Sequence, residues 1–512
     1  MIVSITPDLA LDVGYTYAGG LGVLEGDKFY AAAKLGIDYT VLTLFYRNGY
    51  VSYTFDDGGN PVPKPQPQPE EFLSILDLED EYTVTLKGID IVTRAWSYEL
   101  GSAKAVFFEA VSPQWATQLT DRIYIERNLE EAFYKYTFLA KAAAAYIRRD
   151  VGLENVRYID LQEAYTAILP LILRIPGKYR LVIHTPGPWG HPTFPKYLFE
   201  KELGYKLIGD KVVLTELGLA VSREAVTVSA KHFDVMSRVI PHFIDKVRYI
   251  TNGINIERWM APRLREKARY GNVSLGDFVK LKNELREGVK KLFRSVKGHA
   301  PENGMLTAWC RRLVPYKRPD FVARFVETHR DLDIYFLLAG KAHPYDGAGL
   351  SYMRLFRRLH RNDRRVAFIP EYTVEIAKIV LSGVDLLLFT PFPGWEASGT
   401  SFMKAGINGV PTLASRDGAV IELVVDEVNG WLFGEDIRSL MDFNADQEAR
   451  RVNERDYSEF EAKLLKIYDY FNSDPEHYYE VALNAIRTFL PRVGIIRALR
   501  EYYPDVVKKA YL

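Results

Sequence analysis

The sequence predicts an α/β protein with two Rossmann-like parallel-sheet domains that face a cleft, followed by C-terminal helices. A strand, a glycine-rich turn, a helix and a second strand follow one another near the N-terminus, and such βαβ units build parallel sheets. Apolar runs of four to six residues without polar alternation, as in "YFLLA" and "DLLLF", are typical of strands buried on both faces. The alternation of strand and helix starts a second time after residue 300, and 512 residues are too many for one hydrophobic core.

The first domain is predicted to span residues 1–258. Its elements begin with a buried strand in "IVSI", a glycine turn and helix in "YAGGLGVLEGDKFYAAAKLG", and a strand in "DYTVLTLFY". Residues 57–71 are rich in proline, which favours a loop and excludes a helix or a central strand. Residues 121–148 are expected to form one long helix. A strand and a helix are expected in "VRYIDLQEAYTAILPLIL", and a further strand in "RLVIHTPG".

The second domain is predicted to span residues 259–480. It opens with a charged helical stretch at 262–300, after which strands are expected in "GMLTAWC", "DIYFLLA", "RRVAFI", "VDLLLF" and "VPTLAS". Residues 481–512 are expected to be C-terminal helices, and their return to the first domain stays open. Because ligands bind in the crevice outside the carboxyl ends of parallel strands, loops from both domains are expected to carry the function.

The overall charge gives no reason to expect nucleic acid or a membrane as a partner, since 66 Lys and Arg balance 66 Asp and Glu. The single cysteine, Cys310, excludes an internal disulfide and a thiolate-rich metal site. The N-terminus shows no leader, and no apolar run reaches the roughly 18 residues of a membrane span, so a cytoplasmic protein is expected. Dense charge with little Cys and Met favours a thermophilic source. A homo-oligomer is allowed, but nothing in the sequence specifies it.

Gly19, Gly20 and Gly22 surround the start of the first predicted helix. Glycines let a ligand approach the backbone, and the amino end of a helix favours anions. A tight turn that packs the helix on the strand explains the same residues equally well. The spacing is not that of a dinucleotide-binding fingerprint, so the turn alone leaves both interpretations open.

Four cations, Arg311, Arg312, Lys317 and Arg318, lie within eight residues directly after a predicted strand. A solvated surface is one explanation. The cluster is interrupted by apolar residues and follows a buried strand, which favours an anion clamp in a protein without net charge. Arginine binds phosphate through two parallel hydrogen bonds and lysine adds a point charge, so the cluster predicts a phosphate site.

His184 follows the strand in "VIHTPGPWGHPTFP" and is expected to face the crevice rather than the core. The alternative is a structural histidine bonded to the backbone. That alternative is the preferred interpretation for His191 and His232. His184 alone therefore does not decide the function.

The stretch "GWEASGTSFMKAGING" at 394–409 places Lys404 just after a loop of Gly, Ser and Thr. Such a loop can bind an anion through its N–H groups, and a nearby lysine can form a Schiff base with an aldehyde cofactor that carries a phosphate. A lysine that reaches solvent from the start of a helix is the alternative. Composition does not exclude it.

Together these stretches resemble the α-glucan phosphorylases, the family that acts on glycogen, starch and maltodextrin, over most of the chain. The glycine turn with "TLFYRNGY", the histidine loop, "YITNGINIERW", "CRRLVPYKR", "LLAGKAHP" and "EASGTSFMKAGINGV" occur in the family's order. Each match is weak alone, whereas the ordered set is specific. The resemblance implies a GT-B type fold and a short, archaeal- or bacterial-like member of the family.

The resemblance also implies a role for each matched residue. Lys404 would hold pyridoxal 5'-phosphate through a Schiff base, with Thr400, Ser401 and Lys317 at the cofactor's phosphate. The catalytic set would be Lys404, Arg312, Lys317 and His184. The substrate-binding residues would be Arg311 and Arg312 for inorganic phosphate, the amides of Gly19, Gly20 and Gly22 for the substrate phosphate, Glu396, Ser398 and Gly399 for the glucose hydroxyls, and Asn252 and His184 for the O6 side of the glucose.

The activity implied by the resemblance is phosphorolysis of terminal α-1,4-linked glucose from α-glucan or maltodextrin. The product would be α-glucose 1-phosphate with retained configuration, and the partners would be the glucan and inorganic phosphate. One departure is Tyr165, after Gln162 and Glu163, where the family commonly has a histidine. It leaves the contacts in the glucose pocket open, but not the chemistry.

A nucleotide-sugar glycogen or starch synthase on the same fold, using ADP- or UDP-glucose, is the main alternative. Such synthases carry a lysine two residues before the Gly-Gly pair, where this chain has Tyr17, and they have no use for a lysine at position 404. A glucan-binding protein without activity is a third option. It would have lost the cation cluster or Lys404, and both are present.

Overall fold

The computed structural model describes residues 1–206, 208–269 and 273–507. The strands, in chain order, are β1 (Ile2–Ile5), β2 (Tyr39–Leu44), β3 (Ser52–Phe55), β4 (Pro61–Lys64), β5 (Asp77–Leu86), β6 (Ile89–Leu100), β7 (Ala103–Ser112), β8 (Tyr158–Gln162), β9 (Tyr179–Ile183), β10 (Thr193–Pro195), β11 (Lys211–Val213), β12 (Glu224–Thr227), β13 (Val247–Tyr249), β14 (Met305–Cys310), β15 (Ile334–Ala339), β16 (Val366–Ile369), β17 (Leu386–Phe389), β18 (Thr412–Ser415) and β19 (Trp431–Phe433).

The helices alternate with these strands over most of the chain. In chain order they are α1 (Gly20–Leu35), α2 (Glu70–Ser74), α3 (Leu129–Tyr146), α4 (Leu169–Ile172), α5 (Lys196–Leu203), α6 (Leu214–Val221), α7 (Ala230–Val239), α8 (Ile256–Trp259), α9 (Pro262–Arg269), α10 (Leu275–Lys297), α11 (Pro319–Thr328), α12 (Gly347–Asn362), α13 (Val374–Gly383), α14 (Ser401–Gly406), α15 (Val420–Leu423), α16 (Gln447–Ser473), α17 (Pro475–Phe489) and α18 (Ile495–Tyr502). Within the described ranges, no helix is both long and apolar enough to cross a bilayer.

The chain divides into two compact units. Unit 1 comprises residues 1–51, 65–251 and 498–507, and unit 2 comprises 52–64 and 252–497. The long segment of unit 2 therefore begins after residue 251. The boundary predicted from the sequence lay near residue 258. The last described residues belong to unit 1, and positions 508–512 of the predicted C-terminal segment lie outside the described residues.

Unit 1 is built on one nine-stranded sheet with the order β13-β12-β9-β8-β1-β2-β7-β6-β5. The strands from β13 to β7 are parallel, and β6 is antiparallel to both of its neighbours. Chain order reverses between β1 and β8, so the topological switch point of the sheet lies there. The antiparallel extension formed by β5, β6 and β7 was not predicted from the sequence.

Unit 2 contains a six-stranded, fully parallel sheet with the order β16-β15-β14-β17-β18-β19. This is the doubly wound order, and its switch point lies between β14 and β17. Every residue of β14 to β18 is buried, as expected for apolar runs covered by helices on both faces. The predicted α/β class with two Rossmann-like parallel sheets is confirmed.

Two predicted elements differ in detail from the structure. The long helix expected at 121–148 begins only at Leu129, because the Asn128 side chain accepts the N–H of Glu131 at 2.9 Å and caps the helix there. The proline-rich stretch 57–71 is not all loop. It contains β4, which pairs only with β3, and a two-stranded hairpin tolerates proline because few N–H groups are needed.

A buried ion pair ties the last described residues to the sheet of unit 1. Arg180 on β9 donates from Nε and Nη2 to the two carboxylate oxygens of Asp160 on β8, each at 2.8 Å. The same guanidinium donates to the carbonyl oxygen of Tyr502, and the Tyr503 hydroxyl donates to Asp160. Arg180 and Asp160 are both fully buried, so each charge depends on the other for compensation.

Arg180→Ala should destabilise unit 1 by about 3–5 kcal/mol, because it leaves the Asp160 carboxylate buried without its cation. The matched control is Arg94→Ala on β6 of the same sheet, whose guanidinium pairs with Glu81 at 3.2 Å with both side chains exposed to solvent. That loss should cost less than about 1 kcal/mol. Chemical denaturation followed by circular dichroism measures both. Equal shifts of the two midpoints would contradict the role assigned to the buried pair.

Candidate active site

The first candidate residues follow the strands that flank the switch point of unit 2. Arg311 and Arg312 come directly after β14, and residues 390–396 follow β17. The Arg311 N–H donates to the carbonyl oxygen of Ala339 at 2.9 Å, which continues the β14–β15 pairing beyond the strands. Gly340 has a φ of 122°, and a Cβ there would lie 1.9 Å from the Arg311 carbonyl oxygen. Only glycine permits this approach, which fixes the main chain at Arg311.

Arg311 is held by a carboxylate and by an aromatic ring. Its Nη2 donates to Glu396 Oε2 at 2.6 Å, and its guanidinium lies 3.9 Å from the ring centroid of Phe389. The Nη1 atom is buried and has no hydrogen-bond partner among the described residues. Since buried polar atoms are nearly always paired in folded proteins, this donor is suited to a bound anion or hydroxyl.

Burial and neighbouring charges together set the protonation of Lys317 and Glu396. Burial lowers the pKa of Lys317 to about 7; Glu396 opposes this shift, and Arg311 and Arg312 add to it. Burial acts to raise the pKa of Glu396, but the charges of Arg311 and Lys317 outweigh it, so that pKa lies below its ordinary value. The carboxylate therefore stays ionised at neutral pH, whereas the Lys317 amine titrates near neutrality.

Arg318 has a structural role that separates it from the other three cations. Its guanidinium donates to the carbonyl oxygens of Thr390 at 2.7 Å and Pro391 at 2.8 Å, and to Asp456 Oδ2 on α16 at 2.8 Å. The side chain is fully buried. Because its nitrogens already donate to the loop after β17 and to α16, Arg318 is removed from the candidates for anion binding. The remaining candidates are Arg311, Arg312 and Lys317.

One carboxylate holds the loop after β17 in place. Asp417, buried after β18, accepts the N–H groups of Gly394 at 2.8 Å, Trp395 at 3.2 Å and Glu396 at 2.8 Å. Gly394 has a φ of 92°, and a Cβ there would lie 2.4 Å from the carbonyl oxygen of Ser439. These contacts fix the direction in which Glu396 leaves the main chain. Sequence reasoning missed Asp417, because nothing in "ASRDGAV" indicates this role.

Lys404 lies on α14, with Thr400 and Ser401 at the beginning of that helix. Its ammonium nitrogen lies 3.9 Å from the ring centroid of Trp259, and the residue is only 6% exposed. Asn408 Nδ2 donates to the carbonyl oxygens of Trp259 at 2.9 Å and Lys404 at 2.8 Å, so it links the two residues. The lysine does not reach solvent. Trp259 was part of a quoted motif, but the sequence analysis gave it no role.

Two further predicted residues present buried polar atoms without partners among the described residues. These atoms are Ser398 Oγ and Asn252 Oδ1. The backbone around Ser398 is fixed, because its carbonyl oxygen accepts the N–H of Ala419 at 2.9 Å. The adjacent Gly399 has a φ of 73°, and a Cβ there would lie 2.5 Å from the Phe389 ring. Both orphan atoms are therefore candidates for contacts with a ligand.

The glycine turn belongs to unit 1, at the start of α1. Gly22 is buried, and a Cβ there would lie 2.7 Å from Asp8 Oδ2, a carboxylate that also accepts the N–H of Ala18 at 3.0 Å. Gly22 is therefore required for packing. Gly20 is exposed, with no atom within 4 Å of the position of a Cβ, and Gly19 precedes the helix as its cap. Their main chain remains accessible at the helix start.

His184 follows β9 in unit 1 and is partly exposed. Its Nε2 lies 2.8 Å from Gln162 Oε1, and its backbone N–H donates to Glu163 Oε2 at 2.6 Å. Burial of the imidazole lowers the pKa of His184 well below its ordinary value, so the ring is neutral. His191 and His232 also hydrogen-bond within unit 1. Sequence reasoning assigned no role to Glu163.

These observations define a class of protein. Unit 2 is an α/β unit that gathers Arg311, Arg312, Lys317 and Glu396 at its topological switch point. The same unit buries a lysine, Lys404, whose amine can react with a carbonyl group. Such a set of side chains is suited to an enzyme site for anions, and unit 1 separately carries the glycine turn and His184.

Comparison with known proteins finds similarity to carbohydrate phosphorylases. Residues 358–490 match the family model of the carbohydrate phosphorylases. The chain is 25% identical to the maltodextrin phosphorylase of Thermococcus litoralis, with 96% of this chain and 69% of that protein covered. It is 24% identical to the glycogen phosphorylase of Aquifex aeolicus, with 99% and 87% covered. It is also 26% identical to an uncharacterized protein of Methanocaldococcus jannaschii, with 80% and 82% covered.

The chain is thus similar to a maltodextrin phosphorylase and a glycogen phosphorylase over nearly its whole length, and one segment of it matches the carbohydrate phosphorylase model. The resemblance predicted from the ordered stretches of sequence is thereby confirmed. The segment matched by the family model contains the loop after β17, Lys404 and Asp417, so it includes a large part of the site in unit 2.

Binding of inorganic phosphate at about pH 8 should be coupled to proton uptake. An anion beside Lys317 favours the ammonium form and raises its pKa from about 7, so an amine that is mostly neutral in the free protein gains a proton. Isothermal titration calorimetry in two buffers of different ionisation enthalpy measures the uptake. Lys317→Met should abolish it, and Lys466→Met, at an exposed lysine paired with Glu427, should not. Uptake that persists in Lys317→Met would assign the proton to another group.

Proposed function

We propose that this protein is a glycosyltransferase of the α-glucan phosphorylase type, which transfers the terminal glucose of an α-1,4-glucan to inorganic phosphate. The observation that carries the proposal is the buried Lys404 in the unit that also holds the Arg311–Glu396 pair. An anion site alone would need no buried lysine. The relatives named maltodextrin phosphorylase and glycogen phosphorylase support the substrate class.

Pyridoxal 5'-phosphate fits the donor set around Lys404. The buried amine lies against the ring of Trp259, a surrounding that suits an aromatic aldehyde. When bound, the cofactor supplies a phosphate group that titrates near neutral pH and acts in proton transfer. The residues assigned to it are Lys404 for the covalent link and Thr400, Ser401 and Lys317 for its phosphate.

Arg311 and Arg312 are assigned to the substrate phosphate. Arg311 is held against Phe389 and Glu396 before any ligand binds, so little side-chain freedom is lost when an anion meets its remaining donor. The clustered positive charge also stabilises phosphate groups held close together. Lys317, whose pKa of about 7 rises when an anion lies beside it, adds an ammonium charge to the same cluster.

The proposed bond changes are those that the resemblance to the α-glucan phosphorylases implies. Inorganic phosphate gives a proton to the glycosidic oxygen, and the bond from that oxygen to C1 breaks. A phosphate oxygen then bonds to C1 from the same face, which yields α-glucose 1-phosphate with retained configuration. The shortened glucan leaves with the transferred proton on its new hydroxyl.

The terminal glucose is assigned mainly to uncharged groups. Ser398 Oγ and Asn252 Oδ1 have no protein partner within the described residues, so sugar hydroxyls can satisfy them without breaking a protein hydrogen bond. Glu396 adds an ionised acceptor. In unit 2, the residues assigned to the glucose are Glu396, Ser398, Gly399 and Asn252. In unit 1, considered by itself, His184 is assigned to a sugar hydroxyl and the amides of Gly19, Gly20 and Gly22 to a phosphate.

Purified protein with maltodextrin and phosphate should release α-glucose 1-phosphate, and Lys404→Ala should abolish this together with the absorption band of bound pyridoxal. Borohydride should trap an adduct on the peptide that contains Met403 and Lys404. Lys404→Arg keeps a cation over Trp259 but cannot form the covalent link, so it should fold normally and remain inactive. Activity in either variant, or an adduct elsewhere, would refute the assignment. Glucose transfer from ADP- or UDP-glucose without phosphate would instead identify a synthase.

Arg312→Ala should raise the KM for phosphate about 10- to 150-fold, because losing a charge-assisted hydrogen bond costs about 1.5–3 kcal/mol. Arg312→Lys should reverse part of this rise in KM, since lysine restores the positive charge but cannot form bidentate hydrogen bonds. Steady-state kinetics at saturating maltodextrin measure both. The control is Arg358→Ala, at an exposed arginine of α12 that pairs with Glu327. An unchanged phosphate KM in Arg312→Ala would mean that this residue does not bind phosphate.

A further inference from the structure

Glu163 combines three features that the proposed reaction does not use. It directly follows β8, beside the switch point of the unit 1 sheet, where parallel sheets bind their ligands. Its φ is 67° and its ψ is 161°, a backbone conformation that residues other than glycine rarely adopt. Its side chain is almost completely buried, although it carries a carboxyl group. Strained backbone and buried carboxyl groups of this kind are concentrated at functional sites.

The residue before it, Gln162, fixes the imidazole of His184. Gln162 Nε2 donates to Ser4 Oγ on β1 at 3.0 Å, so its Oε1 is the atom that meets His184 Nε2 at 2.8 Å. The neutral ring must therefore carry its proton on Nε2 and donate it to Gln162. Nδ1 of His184 is then a lone-pair acceptor, suited to a hydroxyl group and not to an anion.

Glu163 fixes the main chain of the same histidine. Its Oε2 accepts the backbone N–H of His184 at 2.6 Å. At the far end of the loop, a Cβ on Gly190 would lie 2.6 Å from Glu163 Oε1 and 2.5 Å from Thr185 Cβ. The carboxyl group thus lies between the two ends of the loop 184–190, and the absence of a side chain at Gly190 makes room for it.

We propose that Glu163 is a positioning residue for His184, which holds the loop 184–190 so that His184 Nδ1 accepts a hydroxyl of the terminal sugar. The proposal rests on the proposed function, because it takes the sugar as the ligand of His184. Gln162 sets the ring and its tautomer, and Glu163 sets the backbone from which the ring projects. The unusual backbone at Glu163 turns its carboxyl group towards the loop. The loop itself contains no charged residue that could replace this anchor.

Two substitutions at position 163 distinguish the hydrogen bond to the His184 N–H from the mere volume of the side chain. Glu163→Ala removes the acceptor of the His184 N–H and should raise the KM for maltodextrin about ten-fold, while the KM for phosphate stays within about two-fold. Glu163→Gln keeps an acceptor oxygen at the same place and should restore the maltodextrin KM to within about two-fold of the wild type. Equal maltodextrin KM values in Glu163→Ala and the wild type would overturn the proposal.

A double substitution tests whether the effect passes through His184. In a His184→Ala background, adding Glu163→Ala should change the maltodextrin KM by less than about two-fold, because the group being positioned is gone. A further ten-fold rise would show that Glu163 acts by another route. Gly190→Ala serves as a second variant if Glu163→Ala does not fold, since its Cβ would displace the carboxyl group, and it should also raise the maltodextrin KM.

A spectroscopic measurement separates this proposal from the proposed function. With ¹⁵N-labelled histidine, the wild type and Glu163→Gln should show one His184 signal with the proton on Nε2, assigned by its loss in His184→Ala. Glu163→Ala should shift or broaden that signal. If the wild type does not phosphorolyse maltodextrin, the function proposed above fails, and the signal still decides the role of Glu163. An identical His184 signal in folded Glu163→Ala would refute the positioning role, even in an active enzyme.

Discussion

The three hydrogen bonds that Asp417 accepts from the loop after β17 are the constraint on which the unit 2 site depends. They fix the main chain at residues 394–396, and with it the position of the Glu396 carboxylate. Glu396 in turn engages one nitrogen of Arg311 and leaves another without a partner among the described residues. The same carboxylate counteracts the lowering of the Lys317 pKa by burial, and that pKa lies at about 7. If this loop could move, the position of Glu396, its hydrogen bond to Arg311 and its effect on the pKa of Lys317 would all be lost, because each depends on where the Glu396 carboxylate lies.

Much of the fold could be predicted because strands buried on both faces appear as uninterrupted apolar runs. The strands β14 to β18 were all expected on that basis. The antiparallel extension was missed because β5 is largely exposed and rich in acidic residues, so its sequence carries little strand signal. The β3–β4 hairpin was taken for a loop. Its place in unit 2 depends on contacts distant in sequence, such as the Tyr53 hydroxyl that donates to the Ala342 carbonyl oxygen at 3.1 Å.

The candidate residues of the site were predicted where their chemistry depends on near neighbours in the sequence, as for Lys404 and the loop before it. Asp417 and Trp259 could not be found in this way, since their contacts join parts of the chain that are separate in sequence. Proximity in sequence also led to the inclusion of Arg318 in the predicted phosphate site. Lys317 and Arg318 are adjacent, but Arg318 adopts a left-handed backbone conformation with a φ of 49°, and its guanidinium bonds to the protein interior instead of a ligand.

In both units the order of the parallel strands reverses once, and the candidate residues follow the strands at or near that point. The residues that follow the strands at these two switch points differ in charge. Unit 2 presents Arg311, Lys317 and an ionised Glu396, whereas in unit 1 burial lowers the pKa of His184 well below neutrality and raises that of Glu163 to about 8. At neutral pH the groups in unit 1 are thus mainly uncharged. Cations suit phosphate and neutral acceptors suit hydroxyls, because a buried charge without a counterion is costly. The same kind of strand order therefore places charged groups at the end of one sheet and mainly uncharged groups at the end of the other.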